Sequence, residues 1–127
     1  MRALFSVLFW IYLLNAVLIV NHEIESAYWK EWDLFKLPGK VTGFLIIHFP
    51  VLTLIILGST LVYLQNTYGY IMSILLSVGG IFAFSAHTYF IKKGRPEFKL
   101  PISIFLLISI LIVSLVQLVL SMHILMK

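Results

Sequence analysis

Residues 17–32, VLIVNHEIESAYWKEW, run from apolar chain straight into the ionisable side chains His22, Glu23 and Glu25. On a helix, His22 and Glu25 are three apart and can reach one point beside the axis. His48 and His87 lie inside two other apolar stretches. Imidazoles joined by a carboxylate make a nitrogen/oxygen donor set suited to zinc or iron. Three protein ligands plus water is the usual open form of a catalytic zinc site. The expected divalent-metal ligands are therefore His22, His48 and His87, with Glu25 as a fourth ligand or as the catalytic base. Glu23 points about 100° away from His22. It is the weaker catalytic candidate, or a partner that orients an imidazole. The run HEIE is not the zincin pattern His-Glu-x-x-His, because Ser26 stands where the second histidine would be.

The elements that must position these groups follow from composition. The chain is 61% hydrophobic and 11% charged, against roughly 45–50% and 25% for soluble domains. A chain this short cannot hide such an apolar excess in an aqueous core, so its expected partner is the lipid bilayer. Four long apolar stretches fall at 4–20, 41–64, 68–91 and 100–125, each reaching or approaching the roughly 20 residues of a membrane-spanning helix. They are continuous rather than alternating, which argues against a β-barrel, and helices satisfy their own backbone groups. The expected fold is all-α: a four-transmembrane-helix bundle, up-down-up-down with short loops. Helices are placed at about 3–32, 41–64, 68–91 and 100–125 in a single transmembrane domain over 1–127. The first stretch is longer than a signal-peptide core and lacks a small-x-small cleavage site, so it is read as an uncleaved helix. Cysteine is absent, which excludes disulfides and thiolate ligands.

Charge sets the expected orientation. Lys30, Lys36, Lys40, Lys92, Lys93, Arg95 and Lys99 share the side of the first and third loops, while Arg2 and Lys127 lie opposite. The positive-inside rule makes the basic side cytoplasmic, with both termini outside, in the inner (plasma) membrane of a bacterial cell. The net charge of +4 then reflects topology and contact with anionic headgroups. No nucleic-acid-binding module is present. With about 1.5 Å of rise per residue, His48 lies roughly 10 Å inside the second helix and His87 roughly 6 Å from the end of the third. Together with His22 they arrive at nearly one depth, whereas His123 sits on the far side.

Helical phase points the same way. Asn15, His22, Ser26 and Trp29 share a stripe on helix one. Gly79, Ala83 and His87 form a small-residue stripe on helix three, for close approach inside the bundle or in a homodimer. Ser114, Gln117 and Ser121 line helix four, and Pro50 loosens helix two just beyond His48.

His22-x-x-Glu25 at the end of helix one resembles the bacterial membrane-protein family named for an HXXEE motif. The runs HEIESAYWKEWDLF, LPG, FLIIHFP and FSAHTYFIKKGRPEFK look like a related group of small membrane proteins, over nearly the whole chain. The resemblance implies four helices and an inner-membrane location, and it implies no activity. Ser26 replaces the motif's second glutamate, so a role needing paired carboxylates falls to Glu23 or is lost.

The leading expectation is a metal-dependent hydrolase or oxidoreductase acting on a lipid-like small molecule. A b-type haem carrier using two of the histidines is an alternative. So is a non-enzymatic proton-coupled carrier, sensor or accessory subunit.

Overall fold

The computed structural model describes residues 1–127 as an all-helical chain of α1 (Arg2–Tyr28), α2 (Glu31–Leu34), α3 (Lys40–Tyr63), α4 (Thr67–Lys92) and α5 (Pro101–Leu125). The four long helices are each apolar and long enough to cross a membrane. They form a ring in which α1 packs on α3 and α5, and α4 packs on the same two, while α3 and α5 stand diagonally apart.

Local chemistry sets the ends. Asn66 caps α4 by accepting from the Tyr68 N–H at 2.9 Å. Past Lys92 the chain enters a left-handed Gly94 (φ 86°). The Arg95 N–H reaches back to the Phe90 carbonyl at 3.1 Å, a glycine-type helix stop. Pro101 opens α5 at a position where its missing N–H is not needed. Helix one ends at Tyr28 rather than at 32, because Lys30 turns left-handed (φ 53°) and starts the short α2. Pro50 sits inside α3, which continues through it.

A large share of the spans' polar side chains is turned inward while large apolar ones face out. Trp10, Phe49, Ile56, Phe82, Phe105 and Val119 face outward, while Asn15, Ser73, Ser77, Ser114, Gln117 and Ser121 are wholly buried. That inversion fits lipid as the surrounding medium, where interhelical contacts come from small and hydrogen-bonding side chains. Asn15 on α1 donates to Gln117 Oε1 at 2.7 Å and to Ser114 Oγ at 3.0 Å on α5. Gln117 passes the chain on to the Ser73 hydroxyl of α4 at 2.9 Å, and Ser121 donates to the same oxygen at 2.8 Å. The polar stripes expected on helices one and four thus meet. Gln117→Leu is expected to lower stability by about 1–2 kcal/mol, the upper end for a buried interhelical bond in a membrane protein. Adding Asn15→Leu should then cost less than the sum of the single variants. Denaturant unfolding in micelles reads both.

The small-residue stripe differs from expectation. Gly79 has open space where a Cβ would stand, whereas at Gly80 a Cβ would collide with Ser114 and lie 3.0 Å from Ile110. The close approach to α5 is therefore made by Gly80, one residue along from the stripe of Gly79, Ala83 and His87.

Candidate metal centre

The site lies at the end of the bundle where α1 and α4 finish and α3 and α5 begin. His22 shares its helix face with Asn15 and Ser26, and all three are buried. His87 is buried on α4. The two imidazoles meet edge to face, with centroids 4.6 Å apart at 73°. Phe98 closes over both, at 4.1 Å from His87 and 5.4 Å from His22. Phe98 is buried and sits at φ 64°, a conformation that β-carbon sterics make uncommon outside glycine. The α4–α5 connection thus accepts local strain to place this ring under the imidazoles.

The third donor comes from α2. The left-handed Lys30 folds the chain back, and Glu31 Oε1 lands 3.1 Å from His87 Nε2. One ligand atom from each of His22, Glu31 and His87 lies within 4.8 Å of the others. Two ligands of one tetrahedral zinc lie about 3.4 Å apart, given bond lengths near 2.1 Å, so the Glu31–His87 spacing is within a few tenths of an ångström of that. His22 Nδ1 and His87 Nδ1 are buried without a hydrogen-bond partner. Buried polar atoms are normally satisfied, yet each of these two imidazoles keeps a ring nitrogen without a protein partner. Two imidazoles and a carboxylate form a donor set that zinc or iron accepts.

The structure divides the set expected from sequence. It brings His22 and His87 together and leaves His48 to a separate pair. His48 Nδ1 donates to the Phe44 carbonyl at 2.7 Å, and its Nε2 meets Glu23 Oε2. A carbonyl can only accept, so Nδ1 carries a proton, and the Nε2–Glu23 contact must share one more. The Phe44 ring stacks on His48 at 3.8 Å and fixes its plane. Glu25 does not join His22. Its Oε1 accepts from Ser103 at the start of α5 and from Trp29 Nε1 at 3.3 Å. Spacing by three places two residues on one broad face, yet α5 supplies Glu25 with a donor while His22 turns to α4. Glu23 directly follows His22 on α1, so the pair stands at the same end of the bundle as the three-residue group.

Glu31 is the residue that sequence reasoning missed. A helix running to 32 carries it out among the headgroups, and only the break at Lys30 returns it to the bundle. The one usable sign was a further carboxylate near the end of helix one, on the same side of the bundle as His87.

Burial works to raise the Glu31 carboxyl pKa. The hydrogen bond and charge of His87 outweigh that, and the group is held below its ordinary 4.5. Folding therefore favours the carboxylate. In metal-free protein the resulting stability is complete above 4.5 and is lost as pH falls through the lowered value. Glu31→Gln should flatten this acid limb in a denaturant titration run downward from about pH 6.

A profile for a family of unknown function (DUF6713) matches residues 8–124. No curated protein and no solved structure shows significant similarity to the chain.

Proposed function

The chain belongs to this family, DUF6713, so its chemistry must be read from the site, and we propose that it is a membrane-embedded metal-dependent enzyme that hydrolyses a lipid-soluble substrate. The observation that carries this reading is the convergence of two buried imidazoles, His22 and His87, with the Glu31 carboxylate, one ligand atom of each lying within 4.8 Å of the others. A cation held through His87 Nε2, the nitrogen 3.1 Å from Glu31, would take up the electrostatic attraction that these closely spaced donors offer. When bound, zinc or iron supplies Lewis acidity and lowers the pKa of a water toward neutrality.

The protein's own groups do the rest. His22, His87 and Glu31 hold the ion, and Phe98 excludes bulk water from the imidazoles. Glu23 is the base: it takes a proton at its carboxylate, and His48 holds that carboxylate in place. Glu25, fixed by Ser103 and Trp29, orients the end of α1. Kinship with the HXXEE-motif family would rest on His22-x-x-Glu25, whose two side chains take different partners here. The exposed basic residues on the site's side of the bundle support a cytoplasmic location for it, with both termini outside, in the inner membrane.

Purified protein is expected to hold near-stoichiometric zinc or iron and to release acid from N-alkyl acyl-amide probes. Chelation should abolish that activity and metal should restore it. Fully folded protein that takes up neither metal rejects the reading. Iron in place of zinc would redirect it to oxidation. A haem b site is disfavoured by the edge contact of His22 and His87, which leaves no porphyrin-wide gap between them, and a Soret band would reverse that judgement.

One observation favours a second reading, a proton-coupled carrier or sensor. The one-proton Glu23–His48 pair and the Glu31–His87 pair stand at the same end of the bundle, and a bridging water would make them a relay. Proton flux in metal-free proteoliposomes would establish it.

A further inference from the structure

Between α3 and α4, floored by α1, runs a cavity of about 240 Å³ lined by Val51, Leu54, Leu75, Gly79 and Ala83, with Glu23 at one end and Tyr12 at the other. Tyr12 to Glu23 spans eleven residues of α1, about 16 Å at roughly 1.5 Å per residue. The cavity is therefore long and thin. At the roughly 30 Å³ that one water takes in the liquid, it has room for about eight methylene-sized groups in single file.

Its walls carry almost no hydrogen-bonding capacity. The Tyr12 hydroxyl is committed to the Ile55 carbonyl at 2.8 Å. Glu23 gives one oxygen to His48 and keeps the other free of any protein donor. Leu54, Leu75 and Gly79 are exposed along the mouth, which opens sideways between two helices apolar enough to span a membrane. An occupant enters from the acyl-chain layer without crossing water.

We infer that this cavity binds a single alkyl or acyl chain of about eight to ten carbons whose polar end donates a hydrogen bond to Glu23. The apolar length selects the chain, and the free carboxylate oxygen selects a hydroxyl, amine or amide at its end. Glu23 directly follows His22 on α1, so the bound polar end arrives at the level of the candidate metal centre. As the substrate class of the proposed enzyme the inference rests on that reading, whereas the binding itself does not.

Gly79 makes the test clean. It is exposed, and a Cβ there meets nothing within 4 Å. A side chain can therefore start at Gly79 without a clash, the longer Gly79→Leu side chain takes up cavity volume, and leucine is the better helix former. The probe is a decanol carrying a diazirine in its alkyl chain, photolysed with the protein in bilayer nanodiscs and mapped by mass spectrometry, with the matching diazirine alkane as control. The native protein should be labelled at Val51, Leu54 and Leu75, more strongly by the alcohol than by the alkane. Gly79→Leu should cut that labelling about tenfold, the equivalent of roughly 1.4 kcal/mol. Glu23→Leu should erase the preference for the alcohol, and Glu23→Gln should keep part of it. Labelling spread evenly over outward faces, or indifferent to Gly79→Leu, overturns the inference. So does a dimer that Gly79→Leu dissociates, which would assign the groove to a second copy. Metal content measured on the same samples separates the two readings: cavity labelling without metal retires the enzyme and leaves the chain site standing, and metal without cavity labelling does the reverse.

Discussion

Glu31→Ala, His22→Ala and His87→Ala are each expected to weaken zinc binding by more than about a hundredfold, while Glu25→Ala and His48→Ala leave it within a few-fold. The magnitude follows from the size of the site. Removing an outer partner of a metal ligand already costs roughly 10–100-fold, and a direct ligand among only three contributes more. The contrast follows from geometry. Glu31 sits 3.1 Å from His87 Nε2, whereas Glu25 is held by Ser103 and Trp29, and both ring nitrogens of His48 are already engaged. Competition against a chromophoric chelator in detergent measures all five variants on one scale. Near-UV circular dichroism shows which of them stay folded, and Glu31→Gln serves where Glu31→Ala does not. The opposite pattern, with His48→Ala losing metal and Glu31→Ala keeping it, would move the centre to the other histidine and sink the His22–Glu31–His87 assignment.

That contrast also marks how far the sequence could be read. The four long helices were legible because lipid demands long apolar runs, and 127 residues leave no room to disguise them. The stripes through Asn15 and His22 and through Ser114, Gln117 and Ser121 were legible for a related reason. A polar side chain in lipid has nowhere to go but inward, so period alone predicts its direction. His87 fell to the same argument. What escaped was whatever depends on a backbone angle or on a neighbour's identity. Lys30 is an ordinary residue in a left-handed conformation, and nothing in its side chain announces that α1 will break there and deliver Glu31. Depth placed His48 level with His22 and His87, but depth carries no azimuth. Its partner turned out to be Glu23, the carboxylate that helical phase had ranked second to Glu25. Equal height in a bundle is a necessary condition for a shared site, and the direction around each helix decides the rest.

The same one-residue sensitivity governs the glycines of α4, where the second large effect is expected. Gly80→Leu should destabilise the protein by about 3 kcal/mol or more, at or beyond the upper end for overpacking a tight interior. Gly79→Leu, its immediate neighbour, should leave stability unchanged or raise it by up to about 1 kcal/mol through helix propensity alone. At Gly80 even a Cβ collides with the Ser114 hydroxyl and comes within 3.0 Å of Ile110. Ser114 is fixed by its bond from Asn15 at 3.0 Å and cannot swing aside without opening the polar chain that ties α1, α4 and α5 together. The clash and the lost hydrogen bonds therefore add, and α5 must move away from α4 as a unit. Gly79 faces the cavity between α3 and α4, where added methyl groups replace empty space. Unfolding of both variants in micelles decides the matter. Equal losses at the two positions would mean that α4 is packed on the Gly79 side as well, and the open groove that the alkyl-chain site requires would not exist.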